Sequence, residues 1–151
     1  MMNEIRELLL NARQRVAIQV NTELLSTYWN VGRIIVEHEQ ENKERADYGK
    51  QTLKQLSKDL TKEFGKGFSV SNLQFMRRFY QSYQIQQTVS VKLSWSHYCE
   101  LLTISDADKR SFYEKEAEYF YTDKTDSGNI LHESKLLPCS YELRYFINDM
   151  A

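Results

Sequence analysis

The chain has very few of the residues that interrupt regular structure. Its 151 residues include one proline and five glycines. Proline breaks helices and central strands, and glycine is frequent in the tight turns that join short strands. Their scarcity argues against a sandwich or barrel of many short strands and favours a mostly helical chain. Hydrophobic residues make up 41% of the sequence, which is enough for the core of one small domain.

Cysteines and long apolar runs are also scarce. Cys99 and Cys139 show no recognisable spacing, so free thiols in a reducing compartment are expected, with a disulfide between them as the alternative. No apolar run approaches the length of about 18 residues that spans a bilayer. The first residues lack the basic start and the apolar stretch of a signal peptide. These absences predict a cytoplasmic protein with no membrane partner.

Acidic residues are missing from a long central part of the chain. No Asp or Glu occurs from residue 64 to 92. The wider basic stretch, residues 43–92, has ten Lys and Arg against four Asp and Glu, a net charge of +6, whereas residues 1–42 carry −2 and residues 93–151 carry −5. The whole-chain charge of −1 hides this asymmetry. An acid-free basic surface is typical of proteins that approach phosphate groups.

The first third of the chain predicts a long helix. Apolar residues recur at helical spacing from Ile5 to Val36, and Gly32 is the only weak point, so residues 4 to about 41 form one long helix or two in tandem. A helical pattern beyond about 25 residues favours pairing between chains. Two alternatives are open, a homodimer through this helix and a helix that organises one small bundle. The charged residues from Glu39 to Gly49 predict a loop.

Two amphipathic segments within the basic stretch predict a helix-turn-helix. The first runs from about Lys50 to Phe64, with leucines on one face and lysines four residues apart on the other. Two glycines then form a turn, and Ser69 or Ser71 caps a second helix that runs to about Tyr83. A basic helix, a glycine turn and a second helix are the usual sequence form of a nucleic-acid reader.

The second of these helices, over residues 69–83, is the candidate recognition helix. Gln74 and Arg78 are expected to reach base edges, because Gln suits adenine and Arg suits guanine. Lysines and Arg77 are expected to hold phosphates, together with backbone N–H groups at the helix start. An ordinary solvated face is the alternative for the lysine row. The candidate DNA-binding residues are Lys54, Lys58, Lys62, Lys66, Ser69, Ser71, Asn72, Gln74, Arg77, Arg78 and Gln81.

The remaining segments carry weaker patterns. Residues 84–94 alternate in polarity, which fits a short strand, a wing or an extended connection. Ser94 or Ser96 is expected to open a short helix through Leu102, and Ser105 to Asp108 resemble a capping box before another helix. Further elements are a polar linker over 122–129 and one possible element over 141–150.

Catalytic and metal-binding constellations are not recognisable. The histidines His38, His97 and His132 are scattered, and none has a partner at metal-ligand spacing. A structural hydrogen-bonding role is expected for His97. No acid is followed by Glu-x-Lys on a convincing strand, the arrangement that holds Mg²⁺ in many nucleases. No catalytic residue, metal site or cofactor is therefore predicted.

A series of short strings occurs in a recognisable order. They are Val20-Asn21, Tyr28-Trp29-Asn30-Val31-Gly32-Arg33-Ile34-Ile35, Tyr48-Gly49-Lys50, Leu56-Ser57-Lys58-Asp59-Leu60, Gly67-Phe68-Ser69-Val70-Ser71-Asn72-Leu73, Met76-Arg77-Arg78-Phe79-Tyr80 and Leu93-Ser94-Trp95-Ser96-His97-Tyr98. Over roughly residues 4–120 this order resembles the N-terminal domain of YhcG-like proteins, bacterial proteins of the PD-(D/E)XK nuclease superfamily. The resemblance implies a winged-helix-like DNA-binding domain, here residues 1–120, ahead of a nuclease domain.

The chain departs from that family after about Phe120. Residues 121–151 are expected to form a divergent polar tail, with the nuclease domain and its catalytic groups absent, so the chain itself is not expected to be an enzyme. The expected fold is mainly α, with a long N-terminal helix and a helix-turn-helix or winged-helix-like bundle that includes at most one short β hairpin or wing.

Two functions remain open at this point. The first is a module that binds DNA, or structured RNA. The second is a protein interaction module that dimerises or docks to a nuclease or restriction partner. The two are compatible, because dimeric readers are common.

Overall fold

A computed structural model describes residues 1–41, 46–84, 89 and 92–126, and the side chains of these residues except 46–50 and 120–126. Within these ranges there are five helices and no strand: α1 (Met2–Glu41), α2 (Ala46–Phe64), α3 (Val70–Ser82), α4 (Trp95–Leu101) and α5 (Ala107–Asp126). The prediction of a mainly α chain with a long N-terminal helix is confirmed. None of the helices in the described ranges is long and apolar enough to cross a membrane.

Helix α1 continues for 40 residues without interruption at Gly32. A Cβ atom at Gly32 would lie 2.0 Å from the carbonyl oxygen of Met76 and 3.1 Å from Cβ of Tyr80. The missing side chain therefore lets the backbone of α3 approach α1, and the glycine serves helix packing instead of breaking the helix.

The described residues form two compact units, and α1 contributes to both. The first unit takes the described parts of Met1–Leu25 and Val89–Ala151, and the second takes those of Ser26–Thr88. The second unit has a buried core from three helices, with Trp29, Ile35 and Val36 of α1, Leu53 of α2, and Leu73, Met76 and Phe79 of α3. The Trp29 indole N–H donates to the carbonyl oxygen of Tyr83, which ties α1 to the end of α3.

The first unit is organised around α4. Tyr98, Leu101 and His97 are completely buried. The backbone N–H of Ser94 donates to Nδ1 of His97 at 3.0 Å, so His97 holds the start of α4, in agreement with the structural role predicted for it. Ser94, not Ser96, is the N-cap. Asn21 of α1 is buried and its Nδ2 donates to the Leu93 carbonyl oxygen at 2.9 Å.

Two predictions about helix ends were wrong. The residues predicted as a loop, 39–49, are helical at both ends of that range, since α1 extends to Glu41 and α2 begins at Ala46. The linker expected from residue 122 is helical to Asp126. Glu, Lys and Gln have good helix propensity, and Asp is acceptable near helix ends, so a polar composition alone does not end a helix.

The cap of α5 was also misassigned. Oδ1 of Asp106 accepts the backbone N–H groups of Asp108 at 2.9 Å and Lys109 at 3.0 Å. These hydrogen bonds lower the pKa of the Asp106 carboxyl, the one from Lys109 most strongly. Asp106 caps the helix in place of Ser105, because it directly precedes the first helical residue.

Several other predictions fall wholly or mainly outside the described residues. They are the strand or wing over 84–94, the end of the linker, the element over 141–150 and any pairing by Cys139. Cys99 is a free thiol. Burial, and then the charge of Glu100, raises the pKa of Cys99 to about 12, which favours the thiol over the nucleophilic thiolate.

Candidate nucleic-acid interface

Two glycines shape the turn between α2 and α3. Gly65 has φ +83° and Gly67 has φ +116°, a region that L side chains rarely adopt and glycine adopts without steric cost. The Gly65 N–H bonds to the Thr61 carbonyl oxygen at 3.0 Å, a glycine cap of the kind that ends many helices. The prediction of a glycine turn is therefore confirmed in backbone geometry.

Three polar side chains fasten this turn. The Ser69 hydroxyl accepts the Asn72 backbone N–H at 3.1 Å, which makes Ser69, and not Ser71, the N-cap of α3. The Asn72 side-chain amide donates to the Gly67 carbonyl oxygen. The Ser57 hydroxyl of α2 donates to the Phe68 carbonyl oxygen at 2.7 Å. Ser69 and Asn72 thus position α3 after α2, and their side chains already have partners within the protein.

Helix α2 presents the predicted lysine row to solvent. Lys54, Lys58 and Lys62 are exposed, and Lys66 is exposed in the turn that follows. On the opposite face Leu53 is buried. The nearby acid Asp59 accepts hydrogen bonds from Gln55 at 2.9 and 3.1 Å. The side chain of Lys50, the first lysine of the predicted row, lies outside the described residues.

Helix α3 separates an apolar face from a polar one. Leu73, Met76 and Phe79 are fully buried. The exposed residues are Ser71, Gln74, Arg78 and Gln81, all of them uncharged or basic. The Arg78 guanidinium lies 5.9 Å from the centroid of the Phe75 ring, within the range of a cation–π contact. This is the polar face that the periodicity predicts, apart from Ser82, which is half-buried.

Arg77 differs from the other candidates. Its Nε lies 2.6 Å from Oε2 of Glu39 on α1, and the two side chains are 38% and 26% exposed. The Arg77 charge is therefore largely balanced within the protein, although a phosphate contact was predicted for it. Sequence reasoning missed Glu39, because the pair joins residues that are far apart in the chain and no local pattern connects them.

The first unit has an open apolar groove that the sequence did not single out. Its volume is about 830 Å³, and it is lined on α1 by Leu9, Val16, Val20 and Leu24 and on the other side by Ser94 to Ser96 at the start of α4. The signal was present as apolar residues at helical spacing, but spacing alone does not show which of them remain uncovered. Among the described residues no group of three or more His, Cys, Asp and Glu side chains could hold a metal ion.

Comparisons with known proteins support the family resemblance that the sequence showed. The family profile described as the DUF1016 N-terminal domain matches residues 4–126. A relative from Escherichia coli (strain K12), named "Putative nuclease YhcG", is 38% identical over 138 residues, which cover 70% of this chain and 37% of the relative. The chain thus spans little more than a third of that relative's length. No solved structure matches the chain.

Proposed function

Because this chain belongs to the DUF1016 N-terminal domain family, and a curated relative carries the name of a nuclease, we propose that its second unit binds nucleic acid, with DNA as the target. The binding surface is the outer side of α2, the glycine turn and α3. Structured RNA is the alternative target, and binding of duplex RNA is measured beside that of duplex DNA.

The observation that carries the proposal is the charge pattern of this surface. Four exposed lysines lie on α2 and in the turn, and the exposed side of α3 contains no acid. Ordinary solvated helices mix both signs of charge, as α2 does with the exposed acids Asp59 and Glu63, whereas the exposed side of α3 does not. Lysines spaced four residues apart repel one another modestly, and phosphate groups would relieve that repulsion while releasing counterions from the nucleic acid.

The roles of the side chains follow from their positions. Lys54, Lys58, Lys62 and Lys66 hold phosphates. Gln74 and Arg78 lie on the exposed face of α3 and reach base edges, where their fork-like groups can form paired hydrogen bonds, with Gln81 and Ser71 beside them. Ser69 and Asn72 hold the turn, so that the first N–H groups of α3 can face a phosphate.

The nuclease name of the relative fits this binding role. We assign to the chain the binding of nucleic acid and not its cleavage, with the chemistry supplied by a nuclease domain of the kind that the resemblance to YhcG-like proteins implies. Purified chain would then bind DNA without cutting it. Metal-dependent cleavage that disappears on chelation would contradict this assignment.

Salt dependence of binding tests the proposal. Short duplex DNA, duplex RNA and single strands are titrated with the purified chain at several salt concentrations. Four lysine–phosphate contacts give a slope of log K against log salt of roughly −3.5 for duplex DNA. A slope near zero would reject phosphate recognition by the lysine row, and tighter binding of duplex RNA would reassign the target.

Paired variants locate the surface. K58Q with K62Q should reduce the salt slope by about 2 and lower the affinity by tenfold to a hundredfold at about 0.1 M salt. The matched control is K109Q with K115Q, which removes the same charge from two exposed lysines of α5 in the first unit. Equal losses in both variants would show that total charge, not this surface, governs binding.

A second function, protein–protein interaction, is favoured by the apolar groove on α1. Its partner could be a nuclease or restriction subunit or another copy of the chain. This function is independent of the basic surface, because the groove belongs to the first unit.

A further inference from the structure

The N-terminal part of α1 leaves an apolar stripe uncovered. We define the stripe as Met2, Ile5, Leu9, Ala12, Val16, Val20 and Leu24, residues three or four apart on one helix face. Apart from the smaller Ala12, their side chains are between 38% and 67% exposed. Single exposed apolar residues are normal on a protein surface, but a continuous stripe marks a binding site.

The size of the stripe fits a protein partner. Its six large side chains present on the order of 600 Å² of apolar surface, about three quarters of the roughly 800 Å² that each partner buries in an interface of standard size. The groove that the stripe lines extends from Leu9 to Leu24, a distance of about 22 Å along a helix. An elongated apolar partner such as another helix matches this shape better than a compact small molecule.

The pattern of the stripe indicates which partner. Two pairs within the stripe, Ile5 with Leu24 and Leu9 with Val20, lie at equal distances on either side of a midpoint between residues 14 and 15. The counterpart of Ala12 is Ala17, which lines the groove next to the stripe. In an antiparallel helix pair, residues at equal distances from the midpoint lie at the same height on the two helices. A two-fold symmetric interface requires such self-complementarity, because the same surface faces itself.

We propose that a second copy of this chain covers the stripe, with the two α1 helices antiparallel and the two-fold axis near residues 14 and 15. Ile5 of each copy then packs at the height of Leu24 of the other, and Leu9 at the height of Val20. The small residues Ala12 and Ala17 lie near the centre, where they permit close approach. The surface and its partner do not depend on the nucleic-acid function.

Three charged residues, Arg6, Arg13 and Glu23, lie on this face of α1. Arg13 lines the groove and is exposed, and at its height the second copy presents Val16. The two Arg13 residues of the dimer would be about 4.5 Å apart along the axis on the same flank. Their repulsion weakens the dimer, and salt screens it.

Sedimentation equilibrium of the full chain tests the pairing. Because the interface is at the small end of stable ones, we expect dissociation in the range of about 1 to 100 µM. V20E should weaken association at least tenfold, since each dimer would bury two carboxylates in apolar surroundings. R13Q should strengthen association severalfold, because it removes the repulsion between the two Arg13 side chains.

The control is I18E. Ile18 is 43% exposed on the same helix but lies on the side opposite the stripe, so this variant should associate like the unaltered chain. Circular dichroism confirms that each variant keeps its helix content. A monomer at about 500 µM, or equal losses in V20E and I18E, would overturn the proposal and leave the stripe to a different partner.

A distance measurement tests the orientation. In N3C with C139S, spin labels at residue 3 should be about 35 Å apart in the antiparallel dimer. Cys99, which is half-buried, is replaced as well by C99S, so that residue 3 carries the only label. A separation below about 15 Å would show parallel helices and contradict the assigned symmetry.

Discussion

At Gly32 the requirement for a small residue comes from another helix. The position is in the middle of α1, where glycine ordinarily costs about 1 kcal/mol relative to alanine. Here the carbonyl group of Met76 occupies the space that a side chain would need. Because the obstacle is backbone and not the end of a flexible side chain, α1 or α3 must move to admit even one methyl group.

We therefore expect G32A to destabilise the protein, by about 2 kcal/mol or more in free energy of unfolding. Urea denaturation followed by circular dichroism measures this quantity. T27A serves as a control on the same helix, since Thr27 is exposed and its replacement should change stability by less than about 0.5 kcal/mol. A stabilised G32A would mean that helix propensity outweighs the close approach to α3.

At the scale of elements, α3 illustrates what local sequence can predict. Its buried and exposed faces follow from residues within one segment, and its N-cap was narrowed to Ser69 or Ser71, of which Ser69 is the cap. The ion-pair partner of Arg77 was not predicted, because the Arg77–Glu39 pair arises from the packing of α3 against α1. If the proposed nucleic-acid surface includes Arg77, Glu39 competes with phosphate for this side chain.

Replacing Glu39 tests this competition. E39Q removes the partner of Arg77 and should increase DNA affinity by about threefold to tenfold, with a salt slope steeper by about 1. E41Q is the matched control, because it removes the same charge from an exposed residue at the end of the same helix. If E39Q and E41Q bind alike, Arg77 contributes to the packing of α3 and not to phosphate binding.

The misses in the sequence analysis share a physical cause. Helices α1 and α2 both extend into the charged residues predicted as a loop, because Glu, Gln and Lys support a helix as readily as they occur in loops. Asp106 was passed over as the cap because Ser105 fits the same motif, and only the first helical residue decides between them. The lysine row, by contrast, could be predicted from local sequence, because residues four apart lie on the same face of a helix.

At the scale of the whole molecule, the sequence could not reveal how α1 is shared. Distant segments of the chain combine in the first unit, and only a fold brings Asn21 to Leu93. The +6 stretch was visible from sequence, and most of it falls in the second unit. Basic surface and apolar groove therefore belong to different units, and α1 contributes to both.

A continuous helix should couple the unfolding of the two units. Two tryptophans report on them separately, since Trp29 belongs to the second unit and Trp95 to the first. W95F and W29F each leave one reporter. In each variant we expect fluorescence and circular dichroism to give the same midpoint in urea, the behaviour of a cooperative two-state transition. Because W29F loses a hydrogen bond to Tyr83, its fluorescence midpoint is compared with the circular dichroism midpoint of the same variant.

Breaking the helix between the two units should remove this coupling. T27P deletes one backbone hydrogen bond of α1, introduces a clash with the preceding turn and should cost about 3 kcal/mol or more, whereas T27A keeps the helix. With T27P added to each single-tryptophan chain, the midpoints reported by Trp29 and Trp95 should move apart. Separate midpoints already present without the proline would show that the shared helix does not transmit unfolding, so that each unit is stabilised by its own core.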